Sequence, residues 1–269
     1  MPEYAGQGDP ARTLALLWGR PVPGAPSGAS GASGSSGKTA GRRGPSQGSS
    51  VAEIVATAIR VADRDGLSGL SMRAVGRELG RTAMSLYTYV PSRAELLDLM
   101  YDDVHGSLAL GNHKPWRKAA LEWCRSLRAI YVEHPWVLQV SWARPVLGPN
   151  EQTVLEALLR ILAAAGCPIE ARPAATSALF SIVRGAAQQA AEASRAADAT
   201  GQSDPQWWAA RAAAFQEVAP DFAERFPEST AIAAHQAKGG GDEPWVRAAE
   251  LAFEGAVSLV LDGITKLKP

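Results

Sequence analysis

The stretch SMRAVGRELGRTAMSLYTYVPSR, residues 71–93, decides the fold of this chain. Near its start, Val75 and Leu79 fall four residues apart, so both side chains point to one face of a short amphipathic helix. Gly80 follows directly, and glycine readily adopts the positive φ that ends a helix and turns the chain. This part of the stretch therefore predicts a helix followed by a tight turn.

A second short helix is predicted after the turn. Leu86 and Val90 repeat the four-residue spacing, and we expect them to be buried together. The other side chains of this segment then face outward: Thr82, Ala83, Met84, Ser85, Thr88 and Tyr89. Two short helices joined by a glycine turn predict a helix-turn-helix, whose second helix would enter the major groove of DNA.

The flanking sequence completes a three-helix domain. Ser50 is a suitable N-cap for a longer helix over residues 51–65, which Gly66 would end. Pro91 precedes a further helix with an apolar stripe. Three helices can share one small core, so the sequence predicts a DNA-binding domain over residues 50–97.

This region resembles the TetR-type transcriptional regulators. The residues that carry the resemblance are Gly66-Leu67, Ser71-Met72-Arg73, Val75, Leu79-Gly80, Met84 to Val90 and Arg93 to Leu97. Later residues resemble the C-terminal domain of the tetracycline-repressor subgroup: Trp116, His134 to Trp136, Arg144-Pro145, Gly148 to Asn150 and Leu261 to Ile264. The resemblance implies an all-α, dimeric regulator with a larger helical ligand-binding and dimerisation domain over residues 98–269. Such regulators leave DNA when a small molecule binds that domain.

The resemblance also implies a DNA-contacting surface. Arg73 matches a base-contacting position, and its forked guanidinium suits guanine. Tyr87 and Tyr89 match aromatic positions that pack and reach phosphate, and Arg93 matches a basic phosphate clamp. The expected DNA-binding residues are Arg42, Arg43, Ser71, Arg73, Thr82, Ala83, Met84, Ser85, Tyr87, Thr88, Tyr89 and Arg93.

Charge supports DNA contact only through its distribution, because 27 basic and 27 acidic residues cancel. The segment 38–93 carries nine basic residues and only four acidic ones. An acidic shoulder then follows at Glu95, Asp98, Asp102 and Asp103. A basic tip beside an acidic shoulder suits a protein that presents one end to phosphates. An ordinary solvated surface explains the same charges equally well.

Residues 1–49 are expected to form a flexible extension, because residues 21–50 are dominated by Gly, Ser, Ala and Pro. Residues 14–19 allow a short helix ahead of that tether. Arg42 and Arg43 would form a basic arm that contacts DNA, or simply a solubilising linker. Residues 32–39 fit a relaxed phosphate-loop pattern, but the prolines and glycines around them leave no strand or helix to support it, so nucleotide binding is not predicted.

Four longer helices are predicted after the DNA-binding domain, at about residues 116–134, 150–166, 171–198 and 245–266. The last is apolar on nearly all sides, so one side must pack outside its own domain. We expect small residues on two helices to meet their copies in a four-helix dimer interface: Ser177, Ser181, Gly185, Ala252, Gly255 and Leu259. The alternative is a helix wrapped entirely inside one subunit.

An effector pocket is expected in the C-terminal domain, since seven of the eight tryptophans follow residue 115. Small-molecule sites combine apolar walls with a few polar groups. The candidate residues are His105, Trp123, His134, Trp136, Trp142, Phe180, Arg184 and Gln188. For the aromatic candidates, a place in the core is the alternative. Trp207 and Trp208 are expected in a mobile entrance loop.

Catalysis is not expected. The four histidines have no metal-ligand spacing, and neither a nucleophile elbow nor a dinucleotide fingerprint occurs, so we predict no cofactor and no metal. Cys124 and Cys167 are expected to be reduced core residues of a cytoplasmic protein. No signal core or membrane-spanning segment is predicted.

Together these patterns and the resemblance to TetR-type regulators predict an all-α, homodimeric, ligand-responsive transcription factor that represses. Its partners would be double-stranded operator DNA, an unknown small-molecule effector and a second copy of itself. The alternative is a helical small-molecule-binding or protein-interaction dimer without specific DNA binding.

Overall fold

The computed structural model describes residues 3–20, 50–109, 111, 115–237 and 244–267. Its helices are α1 (Pro10–Leu17), α2 (Val51–Gly69), α3 (Met72–Glu78), α4 (Ala83–Tyr87), α5 (Arg93–His105), α6 (Trp116–Glu133), α7 (Pro149–Ala164), α8 (Arg172–Thr200), α9 (Asp204–Val218), α10 (Phe222–Arg225), α11 (Pro227–Ala237) and α12 (Pro244–Lys266). Two-residue strands β1 (Glu3–Tyr4) and β2 (Val140–Ser141) pair in parallel, and a 3-10 helix spans Pro135–Gln139. The expected helical fold is confirmed. Within the described ranges, no helix is long and apolar enough to span a bilayer.

Contacts divide the chain into two compact units. The first contains the described residues of Met1–Ala109 and Glu133–Ala157, and the second those of Leu110–Val132 and Leu158–Pro269. This division differs from the expected boundary after residue 97. The whole of α5, to His105, belongs to the first unit, because its buried face packs against α2 and α1.

The first unit is built around α2 and α5. The Ser50 side chain accepts a hydrogen bond from the Glu53 backbone N–H, which confirms the predicted cap. Gly66 has φ 70°, so the helix breaks where predicted, although helical geometry resumes to Gly69. Side chains from both helices are fully buried in this core, among them Ile54, Ala58, Val61, Leu96 and Met100.

The N-terminal segment, residues 3–20, is folded onto the first unit. This corrects the expectation that all of residues 1–49 form a flexible extension. Asp9 caps α1, whose Ala15 and Leu17 are buried, and β1 adds a strand beside β2. The remaining residues of that expected extension, 21–49, lie outside the described part of the chain.

The expected acidic shoulder is mostly buried, which is a second correction. Glu95, Asp98 and Asp102 are almost inaccessible on α5, and only Asp103 is exposed. The buried carboxylates accept backbone N–H groups: Gly6 donates to Asp98, and Glu151 donates to Asp102. Burial raises the pKa of the Asp98 carboxyl to about 6, against the opposing effect of the Gly6 hydrogen bond.

In the second unit, α8 and α12 pack along each other. Their buried faces follow helical spacing: Ala175, Leu179, Val183, Ala187 and Ala191 on α8, and Phe253, Val257, Leu261 and Ile264 on α12. Three arginines of α6 form ion pairs with acidic residues of α12 in antiparallel order: Arg117 with Asp262, Arg125 with Glu254 and Arg128 with Glu250.

The expectation that Trp207 and Trp208 lie in a loop is wrong. Both lie in α9, which begins with a capping box between Ser203 and Gln206. Pro205 stands in the first turn, where its missing N–H costs nothing. Ser203 and Asp204 therefore begin a helix that carries both tryptophans.

Candidate DNA interface and effector site

The helix-turn-helix consists of α3, the turn around Gly80 and α4. Gly80 has φ 66°, as the predicted turn requires. The second helix lies close to the first because Gly76 has no side chain: a Cβ there would be 2.8 Å from the Arg81 carbonyl oxygen. In return, the Arg81 backbone N–H donates to the Gly76 carbonyl at 2.7 Å. Val75 and Leu86 are fully buried, as predicted.

The outer face of α4 is exposed. Met84 is 77% accessible and Tyr87 44%, with Thr82 and Thr88 exposed beside them. Ala83, Ser85 and Tyr89 are partly covered. An exposed methionine of this size on a short helix is available to contact a partner.

Some of the predicted DNA-binding side chains also cap the helices. The Ser71 hydroxyl accepts from the Ala74 N–H at 3.1 Å, and the Thr82 hydroxyl accepts from the Ser85 N–H at 3.3 Å. The Ser85 hydroxyl donates to the Thr82 carbonyl at 2.7 Å. Ser71 and Thr82 therefore orient the two helices whether or not they touch DNA.

Exposed arginines outnumber acidic side chains around the outer face of α3 and α4. Arg73 and Arg77 are exposed on α3. Nearby Arg60 and Arg64 on α2 both form ion pairs with Glu78. Glu78 is therefore already neutralised by α2, and Arg73 projects its charge from the first turns of α3.

Arg93 is not free to act as the phosphate clamp that the resemblance implies. Its guanidinium donates to both carboxylate oxygens of Glu3, at 2.6 and 2.8 Å. It also donates to the carbonyl oxygens of Leu70, at 3.0 Å, and Leu67, at 2.9 Å. Sequence reasoning missed Glu3, because no local pattern signals a partner 90 residues away. Arg42 and Arg43, the other expected basic contacts, lie outside the described residues.

The candidate effector residues divide between the two units. His105, His134, Trp136 and Trp142 belong to the first, whereas Trp123, Phe180, Arg184 and Gln188 belong to the second. In the first unit, one carboxylate oxygen of Asp63 on α2 accepts from His134 at 2.8 Å and from Trp136 at 2.9 Å.

The other two candidates of the first unit are His105, which is buried, and Trp142, which is exposed. The buried His105 ring bonds to the Tyr101 carbonyl of its own helix, through Nδ1 at 2.6 Å. Trp142 is 49% accessible. His134, Trp136 and His105 therefore each have a partner within the first unit: His134 and Trp136 bond to the exposed Asp63, and the buried His105 bonds to Tyr101.

In the second unit, the candidate side chains take part in two separate ring contacts. Trp123 and Phe180 meet edge to face with ring centroids 5.0 Å apart. Arg184 lies over the ring of Tyr131, 5.6 Å from its centroid. Gln188 bonds to Glu192 along α8. Tyr131 was not predicted, although its position on the apolar face of α6, four residues after the buried Leu127, is a usable signal.

The six predicted dimer residues share one property. On α8 and α12, all are exposed in the single chain: Ser177, Ser181, Gly185, Ala252, Gly255 and Leu259. Leu259 is 74% accessible. A Cβ added at Gly185 or Gly255 would meet nothing within 4 Å. Two adjacent helices thus leave a surface of small and apolar residues uncovered.

Comparison with known proteins places these features in a family. A model for the tetracyclin repressor-like C-terminal domain matches residues 110–267. The HTH-type transcriptional repressor DrrR1 of Streptomyces coeruleorubidus is 37% identical over 222 residues, which cover 80% of this chain and 75% of that protein.

Solved structures agree. Apo ActR from Streptomyces coelicolor has a TM-score of 0.65 and 25% identity, covering 83% of this chain and 98% of that one. ActR, described as a TetR family protein, in complex with actinorhodin has a TM-score of 0.60 and 27% identity, covering 81% and 98%. The matched domain spans more than half of the chain, and the protein belongs to the TetR family of helix-turn-helix transcriptional regulators.

Proposed function

We propose that this DNA-binding regulator is a homodimeric repressor of the cytoplasm, and that a small molecule bound in its second unit releases it from its operator. The exposed face of α4, seated on α3 at Gly76, is the observation that carries this proposal. A short helix with exposed Met84 and Tyr87 and an adjacent exposed Arg73 matches what a major groove requires.

Within this proposal, each contact has a distinct task. Arg73 would read a base edge, and Met84 would contact the groove by shape. Tyr87 and Tyr89 would reach the phosphate backbone and fix the register of α4. Ala83 supplies a methyl group instead of a hydrogen-bonding side chain, so apolar contact with thymine is favoured over hydrogen-bond readout at that position.

Dimerisation would follow from the uncovered faces of α8 and α12. Ser177, Ser181 and Gly185 allow another backbone to approach closely, and Leu259 provides apolar area to bury. Two copies would place their α4 helices in successive major grooves, about 34–36 Å apart, on a near-palindromic operator.

For the effector, the chemistry of the second unit favours an aromatic molecule that carries an oxygen acceptor. Trp123, Phe180 and Tyr131 would supply aromatic rings, of which Trp123 and Tyr131 are fully buried in the single chain, and Arg184 would supply a cation over the Tyr131 ring. The similar protein ActR has been crystallised with actinorhodin, which makes that compound a reasonable first probe. Release requires the effector to bind the DNA-free conformation more tightly than the bound one.

A binding selection from random duplexes tests the proposal. The full chain is expected to enrich a near-palindromic sequence, and aromatic effector candidates, starting with actinorhodin, are expected to reduce that enrichment. Enrichment that no candidate changes would contradict the effector part of the proposal. Absence of any enriched sequence at low ionic strength would contradict sequence-specific binding.

A further inference from the structure

The N-terminal segment, residues 3–20, packs against α5 and forms hydrogen bonds with its carboxylates. The Gly6 backbone N–H donates to both oxygens of the buried Asp98, at 3.0 and 3.2 Å. The Asp9 N–H donates to Glu95 at 3.3 Å. Gly8 passes so close that a Cβ there would lie 2.6 Å from the Glu95 carboxyl group. These contacts hold the start of the segment against the helix that follows the DNA-contacting surface.

Two further contacts fix the ends of this segment. At its start, Glu3 pairs with Val140 between strands β1 and β2. At its end, the Trp18 indole N–H donates to the Leu147 carbonyl at 3.0 Å. Between them, α1 buries Ala15 and Leu17. The segment is therefore seated by apolar burial as well as by hydrogen bonds.

In this packed position, the Glu3 carboxylate lies against the Arg93 guanidinium. The two groups form a bidentate pair, with N–O distances of 2.6 and 2.8 Å. The Glu3 hydrogen bonds raise the pKa of Arg93 above its usual value. A phosphate would present its oxygens to the same guanidinium fork in the same geometry. Because Arg93 begins α5 only six residues after α4 ends at Tyr87, we place it at the edge of the proposed DNA interface.

We propose that the N-terminal segment is an intramolecular competitor of DNA, in which Glu3 occupies the Arg93 fork that a backbone phosphate takes when the segment is released. The inference rests on the proposed DNA-binding function. While Glu3 is in place, the protein lacks one phosphate contact, and its negative charge stands next to the approaching backbone. Release of the segment adds that contact and strengthens binding to any duplex, because phosphate contacts carry no sequence information.

The test is fluorescence anisotropy with a labelled mixed-sequence duplex of about 30 base pairs, titrated with the full chain at salt concentrations from about 50 to 200 mM. Two variants release Arg93 by different routes. Glu3→Gln removes the competing charge, and Gly8→Val forces the segment away from Glu95 without changing any charge. Glu53→Gln, at an exposed acidic residue of α2, controls for the change in net charge.

Both releasing variants are expected to bind the duplex about 3- to 10-fold more tightly, and the salt slope should steepen by about 0.9, the value for one added phosphate contact. In an Arg93→Gln background, Glu3→Gln should add nothing beyond the control. If wild type binds DNA but Glu3→Gln and Gly8→Val bind no more tightly than Glu53→Gln, the competition is refuted. If no form, including wild type, binds a duplex, the proposed function is overturned and this inference with it.

Discussion

Gly76 leaves no room for a side chain between the two helices of the helix-turn-helix. An added Cβ would lie 2.8 Å from the Arg81 carbonyl oxygen and 3.3 Å from the Ala83 nitrogen. Both neighbours are backbone atoms, so neither can move aside without shifting α4. This single residue fixes how the proposed recognition helix is presented.

We therefore expect Gly76→Val to lower the free energy of unfolding by about 1–3 kcal/mol, the usual cost of overpacking. The same substitution should also weaken duplex binding, since α4 would be displaced. Chemical denaturation and anisotropy measure the two effects. Arg77→Ala, at the adjacent exposed position of α3, should stay within about 0.5 kcal/mol of wild type. Equal stability of the valine variant and wild type would show that α4 does not depend on this close approach.

Burial changes the pKa of the Asp98 carboxyl, and with it the dependence of stability on pH. Its carboxyl has a pKa of about 6, raised by burial, whereas it would titrate near 3.8 when solvated. The folded state therefore binds a proton more tightly than the unfolded state. The resulting stabilisation is complete below the unfolded pKa and is lost as pH rises through 6.

Replacing Asp98 with Asn removes that titration and keeps an acceptor for the Gly6 N–H. The stability of Asp98→Asn relative to wild type should therefore increase between pH 5 and pH 8, by on the order of 1–3 kcal/mol. Urea unfolding at several pH values gives the curve. A relative stability that is flat or falls over this range would mean that the Asp98 pKa is not raised in the folded protein.

At the scale of elements, the sequence predicts those whose signals are local. Ser50 capping α2, the turn at Gly80, and the starts of α6, α8 and α12 all follow from spacing, caps and glycine. The exposed face of α4 follows from the same reasoning. These elements depend on residues within a few positions of each other.

Elements that depend on distant partners escaped prediction. The apolar run at residues 14–18 allowed a short helix, but nothing in the sequence showed where this segment docks, because Gly6 bonds to Asp98, which is 92 residues away. The same contact explains why Asp98 is buried instead of lying on an acidic surface. Pairing of β1 with β2 joins Glu3 to Val140. A two-residue strand has no periodicity to detect, so only the three-dimensional contact defines it.

The exposed faces of α8 and α12 lead to a prediction about dimerisation. Gly255→Trp places a large ring on a surface that has open space in the single chain. If α12 meets its copy there, the ring should block the approach and weaken dimerisation at least about tenfold, corresponding to about 1.4 kcal/mol. Sedimentation velocity measures this. Ala163→Trp, on an exposed position of α7, is the matched control and should leave the dimer intact. A normal Gly255→Trp dimer would exclude this interface.

At the scale of the whole molecule, DNA affinity is the sum of specific and electrostatic contributions. The net charge of zero means that affinity must come from local basic groups, such as Arg73 and the proposed arm at Arg42 and Arg43. Counterion release makes each phosphate contact visible in the salt dependence. The number of contacts can therefore be counted without knowledge of the operator.

Removing residues 38–43 should reduce the salt slope of duplex binding by about 1–3, since three basic residues are lost. The preference for the selected operator over other sequences should change little. Replacing the same residues with a Gly-Ser stretch of equal length keeps the tether length as a control. An unchanged slope would reject a DNA-contacting arm and leave the linker interpretation.

The central claim is that the exposed face of α3 and α4 reads duplex DNA, and one measurement tests it most directly. Arg73→Ala combined with Tyr89→Ala should weaken binding to the selected operator at least about thirtyfold, because two lost contacts at about 1–3 kcal/mol each sum to about 2 kcal/mol or more. Sedimentation should still show a dimer, and Arg160→Ala, an exposed arginine of α7, should bind normally. Operator binding retained by the double variant at wild-type specificity would contradict the account.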